Sequence, residues 1–291
     1  MTGAFVFPKV QAIPDVDRIS FRIDGAERLA YHFGERTNAP FLFPIVGPSG
    51  AILTRLGNPR PSDQTPDRSV WLGHANLAGT DFWASPAGTD VKIRHRGVTR
   101  FQDGSRGGAT IQLDWWARGE AILHQTLELE LTPTNDKGFA IDILARFEST
   151  GVPVELGQTE LGFLGTRVAS TMSESLGGGR VTSSERRTGA SAVGGTASRW
   201  IDYSGPSAPN VVEGICLMDH PANPNHPTRW NVRGDGLMCA AFNATSPYGV
   251  ARDHALDLRY RLMVHAGSAN PAALDKAWED FARSAQPRTI A

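Results

Sequence analysis

Hydrophobic and polar positions alternate with a period of two along most of the chain. Ile19, Phe21 and Ile23 alternate with Ser20 and Arg22, and Val91, Ile93 and His95 alternate with Lys92 and Arg94. Ile111, Leu113 and Trp115 share one face of their segment, and Leu127, Leu129 and Leu131 alternate with Glu128 and Glu130. The cleanest run is Phe139, Ile141, Ile143, Ala145 and Phe147; a late one is Leu256, Leu258, Tyr260, Leu262 and Val264. Successive side chains of an extended chain point to opposite faces, so each run predicts a strand with one buried face and one solvated face. The turn Thr134-Asn135-Asp136-Lys137-Gly138 reads as a hairpin loop between two of these strands. Sheets with one apolar face bury it against each other. The pattern therefore predicts an all-β protein, a large antiparallel β-sandwich forming one domain over residues 1–291. A short C-terminal helix breaks the rhythm. Asn270 is placed to cap it, Pro271 suits its first turn, and Leu274, Trp278 and Phe281 fall on one face.

Three stretches follow neither period. Asp219 to Asp235 (DHPANPNHPTRWNVRGD) lies between two strand-like runs and is rich in side chains that donate, accept or stack. A long insert of this kind in a compact domain is functional or disordered. Its prolines and the cost of solvating Trp230 speak for order. Gly57 to Trp71 is a second loop of similar character, and the two are where the chemistry is expected to gather. Leu176 to Ser198, rich in Gly, Ser, Thr and Arg, reads as a long polar hairpin or mobile flap.

Composition narrows the classes. Lysines and arginines are scattered and the formal net charge is -1, so nucleic acid is a poor partner. No apolar stretch is long enough to span a bilayer. Met1 to Pro8 lacks the charged and apolar regions of an export signal, which makes the cytoplasm the expected compartment. Cys216 and Cys239 fit a reducing environment. Each sits in an apolar strand-like run, so two buried thiols is the simpler reading, and a disulfide between neighbouring strands is the alternative.

Several side chains exceed what a fold needs. His74, His124, Glu160 and His220 are the candidate acids and bases. Glu160 lies amid apolar residues, which would raise its pKa unless it is an exposed strand residue or a partner of Arg167. His95 shares a face with Val91 and Ile93 and reads as a core histidine. Arg68 and Arg233 present donor forks suited to a carboxylate or a sugar diol. Trp71, Trp83, Trp200 and Trp230 are candidate sugar-stacking rings, with Asp202 and His226 as polar partners; Trp200 and Asp202 share one strand face. His220 and His226 are not at a recognised zinc spacing, so no metal set is defined, although a divalent metal stays open as a cofactor. The sequence contains no nucleophile elbow, phosphate-binding glycine loop or dinucleotide fingerprint.

Taken in order, these segments resemble a known set. Val70-Trp71-Leu72-Gly73-His74, Gly79-Thr80-Asp81-Phe82-Trp83, Arg94-His95-Arg96, Thr159 to Arg167, Trp200 to Gly205 and the His220 to Arg233 loop are similar to those of the PmoA-like family of bacterial proteins, labelled "methane oxygenase" in some catalogues. The likeness runs from about Pro40 to Gly267. The oxygenase label does not suit a chain without a membrane segment or an evident copper or iron ligand set. The resemblance implies carbohydrate chemistry, because such proteins occur among sugar-catabolic enzymes. The expected form of the sandwich is a galactose-mutarotase-like supersandwich. This chain departs from the family where relatives carry Asp-His-Pro-His-His-Arg: here Asp63, Gln64, Thr65, Pro66, Asp67 and Arg68 stand, without the histidines. Asn231 and Leu161 likewise replace a histidine and an acid, with Glu160 one place earlier, and Asp67 and His74 are candidates for a replacement set.

The expected function is a lyase or hydrolase that cleaves a (3-keto-)glycoside by proton abstraction and β-elimination. His124, His220 or Glu160 would be the base, and Arg68 or Arg233 would stabilise the enolate. A sugar isomerase or mutarotase and a non-catalytic carbohydrate-binding protein are the alternatives. The expected partner is a small-molecule carbohydrate, with neither nucleic acid nor membrane, and self-association into a homo-oligomer is left open.

Overall fold

The computed structural model describes residues 7–34, 37–57, 68–84, 89–134 and 137–284. The alternating runs form strands as expected. The first part of the chain lays down β1 (Val10–Pro14), β2 (Arg18–Ile23), β3 (Ala26–His32), β4 (Phe41–Ile45) and β5 (Val70–Leu72). A meander of long strands follows: β6 (Lys92–Gln102), β7 (Gly107–Ala117), β8 (Glu120–Pro133) and β9 (Phe139–Ser149). Then come β10 (Val154–Leu156), β11 (Leu164–Arg167), β12 (Arg180–Ser183), the short helix α1 (Ala190–Val193), β13 (Trp200–Ala208) and β14 (Val211–Asp219). The chain ends with β15 (Arg229–Val232), β16 (Leu237–Ala241), β17 (Tyr248–Val250), β18 (Leu256–Ala266) and helix α2 (Pro271–Ala282).

Two eight-stranded sheets result. The first has the order β1-β2-β3-β4-β5-β11-β16-β15 and the second β12-β13-β14-β18-β9-β8-β7-β6, while β10 and β17 form a small ribbon. Neighbours run antiparallel throughout, for instance Trp71 opposite Gly165 and Leu262 opposite Ile141. The apolar member of each alternating pair turns inward. Phe21, Leu29, Val70, Leu164 and Met238 of the first sheet meet Ile111, Leu129, Ile143, Ile215 and Leu262 of the second in one continuous core. The fold is thus an all-β antiparallel sandwich with a short C-terminal helix. Helix α2 is capped as its sequence predicts, the Ala273 N–H donating to Asn270 Oδ1 at 3.3 Å. It lays Leu274 and Phe281 over Trp200, Cys216 and Met218 on the outer face of the second sheet. Among the described residues no helix is long and apolar enough to cross a membrane.

Three expectations change. The stretch Leu176 to Ser198 is no flap. It supplies β12 and α1, buries Val181 and Val193 completely, and is pinned at Ala190, whose N–H donates to Glu174 Oε2 at 2.6 Å. Its glycines read as mobility in the sequence, but Gly179 is there for space, since a Cβ would collide with the Met172 carbonyl. The second half of Asp219 to Asp235 is strand β15, because Trp230 and Val232 alternate inward against the core. Cys216 and Cys239 are buried free thiols on different sheets, which removes the disulfide alternative. Residues 135 and 136 of the hairpin loop lie outside the described residues.

Candidate functional site

The outer face of the first sheet carries the densest chemistry. Alternation turns Val70, Leu164, Met238, Ala240 and Trp230 inward, and so sends Trp71, Gly165, Cys239 and Asn231 outward. Register then aligns those four, Trp71 opposite Gly165, Gly165 opposite Cys239, and Cys239 opposite Asn231. Phe41 and His32 extend the row on the far side of Trp71. At the usual strand spacing the four central positions span roughly 14 Å, and Trp71, Gly165 and Cys239 among them are buried, leaving Asn231 at the open end.

Trp71 packs on Trp83 with ring centroids 4.9 Å apart, and both join Leu237 and Cys239 in a small apolar cluster on this face. Asp81 Oδ1 fixes the Trp83 segment by accepting the Trp83 and Ala84 N–H groups at 2.8 and 3.0 Å. Arg68 Nη1 donates to the Trp83 carbonyl at 3.4 Å.

One position along the strands the face becomes charged. Arg167 is fully buried, and its Nη1 lies 3.6 Å from Asp235 Oδ2. Arg233 Nη2 donates to the same oxygen at 2.9 Å, and Arg55 Nη2 donates to the Asp235 carbonyl at 2.9 Å. Asp235 therefore gathers three guanidinium groups that come from distant points of the sequence. Burial pushes the Cys239 thiol far up, and the nearby Arg167 and Arg233 only partly oppose it, so Cys239 stays a neutral thiol.

At the other end the row opens into a cleft of about 440 Å³ whose lining includes Glu160, Gln158, Arg229, Asn231 and Thr245. Glu160 is exposed there. Asn231 belongs both to the row and to the cleft.

Among the described residues the structure places Trp71 and Trp83 in one buried cluster with Arg68 on the Trp83 carbonyl, Arg233 at Asp235 and Glu160 in the edge cleft, and does not bring the five into one pocket; Trp71 and Trp83, each 2% exposed, offer no surface for a sugar to stack on. The other sequence candidates lie elsewhere. His74 is fully buried behind it, accepting from the Asn76 N–H at 3.1 Å and meeting Asn243 Nδ2 at 3.1 Å. Burial pushes its pKa down to about 4 in spite of those contacts. His124 sits on the outer face of the second sheet, where its Nδ1 is 2.6 Å from Asp114 Oδ1. His220 is buried beneath α2, edge-on to Phe281, with Nε2 3.0 Å from Arg259 Nη1. Burial first, and Arg259 second, push its pKa down to about 4. His226 is held by Asp219 Oδ2 at 2.7 Å and stacks on Trp278. Trp200 lies under α2, donating to Asp275 Oδ1 at 2.9 Å, and Asp202 on the same strand face pairs with His265 Nε2 at 2.7 Å. Trp230 faces the core and donates to the Ser198 carbonyl at 2.8 Å, so its ring is no platform for a ligand. Asp63, Gln64, Thr65, Pro66 and Asp67 lie outside the described residues.

Sequence reasoning missed Arg167, Asp235, Cys239 and His32 as members of this face. Alternation around Leu164 and Met238 marks Arg167 and Cys239 as outward-facing, but only the nonlocal pairing of β5, β11, β16 and β15 shows that they meet. Among the described residues no group of three His, Cys, Asp or Glu side chains is placed to hold a metal ion. A larger groove of about 570 Å³ lies on the second sheet, but its charges largely pair off: Arg106 with Glu130 at 3.2 Å, Asp142 with the neighbouring Arg261 at 2.5 and 2.7 Å, and Arg283 with Asp280 at 2.7 Å. The cleft at the edge of the first sheet, by contrast, leaves the Glu160 carboxylate exposed.

Residues 18–279 match a family model described as "Family of unknown function (DUF6807)". Among solved structures, the chain is similar to a putative kojibiose phosphorylase from human microbiome, with 8% identity and a TM-score of 0.38 over 96% of this chain and 37% of that one. The chain thus spans little more than a third of that protein's length. No curated protein matches it.

Proposed function

We propose that this protein, which belongs to the family of unknown function DUF6807, is a carbohydrate-active enzyme, a lyase or hydrolase that cleaves a (3-keto-)glycoside at the outer face of the first sheet. The observation that carries this reading is the open cleft at the edge of that face, where an exposed carboxylate, Glu160, shares the lining with Asn231 and the Arg229 guanidinium. The motif resemblance to PmoA-like proteins, found among sugar-catabolic enzymes, points the same way, and we propose kinship with them.

A ketone at C3 of a sugar acidifies the proton on C2. Glu160 removes that proton, and the electron pair passes to the C3 oxygen as an enolate, whose charge calls for a cation opposite it. The enolate collapses to a C1–C2 double bond as the C1–oxygen bond breaks, and the departing oxygen takes the proton that Glu160 carries. Water adding back to the enone completes a hydrolysis; without that step the reaction is a lyase reaction. Of the three bases considered from the sequence, Glu160 alone lies on this face, since His124 belongs to the other sheet and His220 is buried under α2.

The test is to incubate the full chain with a panel of 3-keto-glycosides and follow products by NMR and ultraviolet absorbance, with and without a chelator. Release of the aglycone with an enone or a free 3-keto-sugar supports the reading. Binding without turnover on the whole panel would replace it with a carbohydrate-binding protein, and interconversion without bond cleavage with an isomerase.

A further inference from the structure

Strand β15 turns Arg229, Asn231 and Arg233 outward, because Trp230 and Val232 take the inward positions. Its two arginines meet different surroundings. Arg233 donates to Asp235 Oδ2 at 2.9 Å. Arg229 borders the edge cleft, where it is the one cationic side chain among the described lining residues, as Glu160 is the one anionic side chain. Both are exposed, and among the described residues neither belongs to an ion pair. Arg229 Nη1 donates instead to the Gly195 carbonyl at 2.7 Å, while the Gly195 N–H donates to the Trp230 carbonyl at 2.8 Å. Gly195 has a φ of 75°, a conformation that suits glycine, and this turn aims its carbonyl at the guanidinium.

Opposite charges in a water-filled cleft gain little by pairing, so a hydrogen bond to a fixed carbonyl competes with the ion pair. The consequence is an acid and a cation that line one cavity of about 440 Å³ without neutralising each other. A ligand entering between them has no ion pair to break. The sequence offers Arg68 and Arg233 as the cation of the site. Arg68 is only 8% exposed, against the Trp83 carbonyl, and Arg233 is engaged with Asp235; neither lines this cleft.

We propose that Arg229 is the catalytic cation of this cleft, its guanidinium holding the substrate's C3 oxygen while Glu160 removes the C2 proton. This rests on the reading of the cleft as a glycoside-cleaving site and deepens it by naming the group that answers the enolate charge. As the C2–H bond breaks, its electron pair becomes the C2–C3 double bond, and the π pair of the C3 carbonyl becomes a lone pair on oxygen. That oxygen passes from a neutral acceptor to an anion, so the guanidinium binds it more strongly in the transition state than in the ground state. When the pair returns, the C1–oxygen bond breaks and the leaving oxygen takes the proton from Glu160. Arg229 loses no proton in this cycle, since a guanidinium stays charged. Its bond to Gly195 fixes it in advance, which keeps reorganisation during the reaction small.

The test uses the full chain as wild type, Arg229→Ala, Arg229→Gln and Arg229→Lys, with methyl 3-keto-glucoside in deuterium oxide. NMR reads two rates: cleavage, and exchange of the C2 proton for deuterium, which reports enolate formation by itself. Arg229→Ala and Arg229→Gln should lower kcat and the exchange rate together by about 10²–10³-fold, the loss expected when one oxyanion donor is removed. KM should move much less. Arg229→Lys should recover part of both rates, because it keeps the charge and loses the planar fork. Guanidinium ion at low millimolar concentration should accelerate Arg229→Ala and leave the wild type unchanged, a rescue that a merely structural residue would not show. Should Arg229→Ala fold poorly, the Gln and Lys variants carry the test, since both keep most of the stem. Unchanged kcat and exchange in all three variants, or a loss confined to KM, overturns the assignment of Arg229 and leaves the cleavage reading standing. Exchange that depends on Arg229, with no cleavage by the wild type, upholds the assignment and removes the cleavage reading. Neither exchange nor cleavage by the wild type overturns both.

Discussion

Gly165 lies directly beneath the ring of Trp71: a Cβ on the glycine would come within 2.6 Å of the indole Cζ2 and 2.8 Å of Cε2. The backbone of β11 makes no conformational demand for glycine at this point, so the requirement is space alone. Gly165→Ala must either push the indole off the sheet or bend β11, and overpacking of this kind costs about 1–3 kcal/mol. Because Trp71 also contacts Trp83, the displacement should reach the candidate site. Urea denaturation should show the loss, and the Trp71 and Trp83 indole resonances should move without any ligand present. An alanine variant as stable as wild type, with unchanged spectra, would mean that the ring is not held where the structure places it.

Asp219 organises the loop that follows β14. Its carboxylate is fully buried and accepts from Asn223 Nδ2 at 2.7 Å, from the Thr228 N–H at 2.8 Å and from His226 Nδ1 at 2.7 Å. Asp219→Ala leaves the buried Thr228 N–H and the half-buried His226 Nδ1 without this acceptor, while Asn223 Nδ2 keeps the Arg259 carbonyl at 2.8 Å, a loss on the order of 2–4 kcal/mol. Asp219→Asn keeps the shape but turns one acceptor into a donor, and should fall between the alanine variant and wild type. Equilibrium denaturation of the three proteins checks the order. A cost below about 1 kcal/mol for the alanine variant would show that the network contributes specificity and little stability.

Most strands could be read from the sequence because each keeps one face in the core, and alternation such as Phe139 to Phe147 leaves a period that survives without any tertiary information. Helix α2 could be read because Asn270-Pro271 encodes its start locally. The site was legible only in part. Arg68, Trp71, Trp83, Glu160 and Arg233 drew notice as residue types that a fold does not need. Trp200 and Trp230 look the same by that criterion, yet one is covered by α2 and the other faces the core. Which outer face receives the helix is decided by packing between segments far apart in sequence. The pairing of Arg167 with Asp235 is equally nonlocal, because it depends on the register of β11 against β16. His124 reads as a free base in the sequence, and its Asp114 partner emerges only from the antiparallel register of β7 and β8.

Two of the buried histidines shape the acid side of the stability profile. Burial pushes the pKa values of His74 and His220 down to about 4 from the ordinary histidine value of about 6.5. Between those values the unfolded chain binds protons that the folded chain refuses, so stability falls as the pH falls through this window and is fully present above it. Each histidine should remove about 2 kcal/mol between pH 7.5 and pH 5. His220→Asn should flatten the slope of the urea midpoint against pH by about half of the histidine contribution, and His74→Asn likewise, even where either variant is less stable at pH 7.5. A wild-type midpoint that stays level from pH 7.5 to pH 5 would show that both rings accept a proton in the folded state.

Glu160 separates an enzyme from a binding protein. It is exposed in the cleft next to Asn231, whereas the candidate bases His74, His124 and His220 are buried or lie on the second sheet. Glu160→Gln keeps the size and hydrogen-bonding reach of the side chain but removes its ability to take a proton. If Glu160 is the base, kcat on methyl 3-keto-glucoside should fall about 10²–10⁴-fold, the usual worth of a positioned general base. Binding of the same compound should change by less than about threefold, since an interaction made only in the transition state does not contribute to ground-state affinity. His124→Ala should leave both quantities unchanged and serves as the control on the opposite sheet. A Glu160→Gln variant that turns over at the wild-type rate would move the base to another residue of this face. Equal losses in binding and in kcat/KM with kcat intact would make Glu160 a ligand contact and not the proton acceptor.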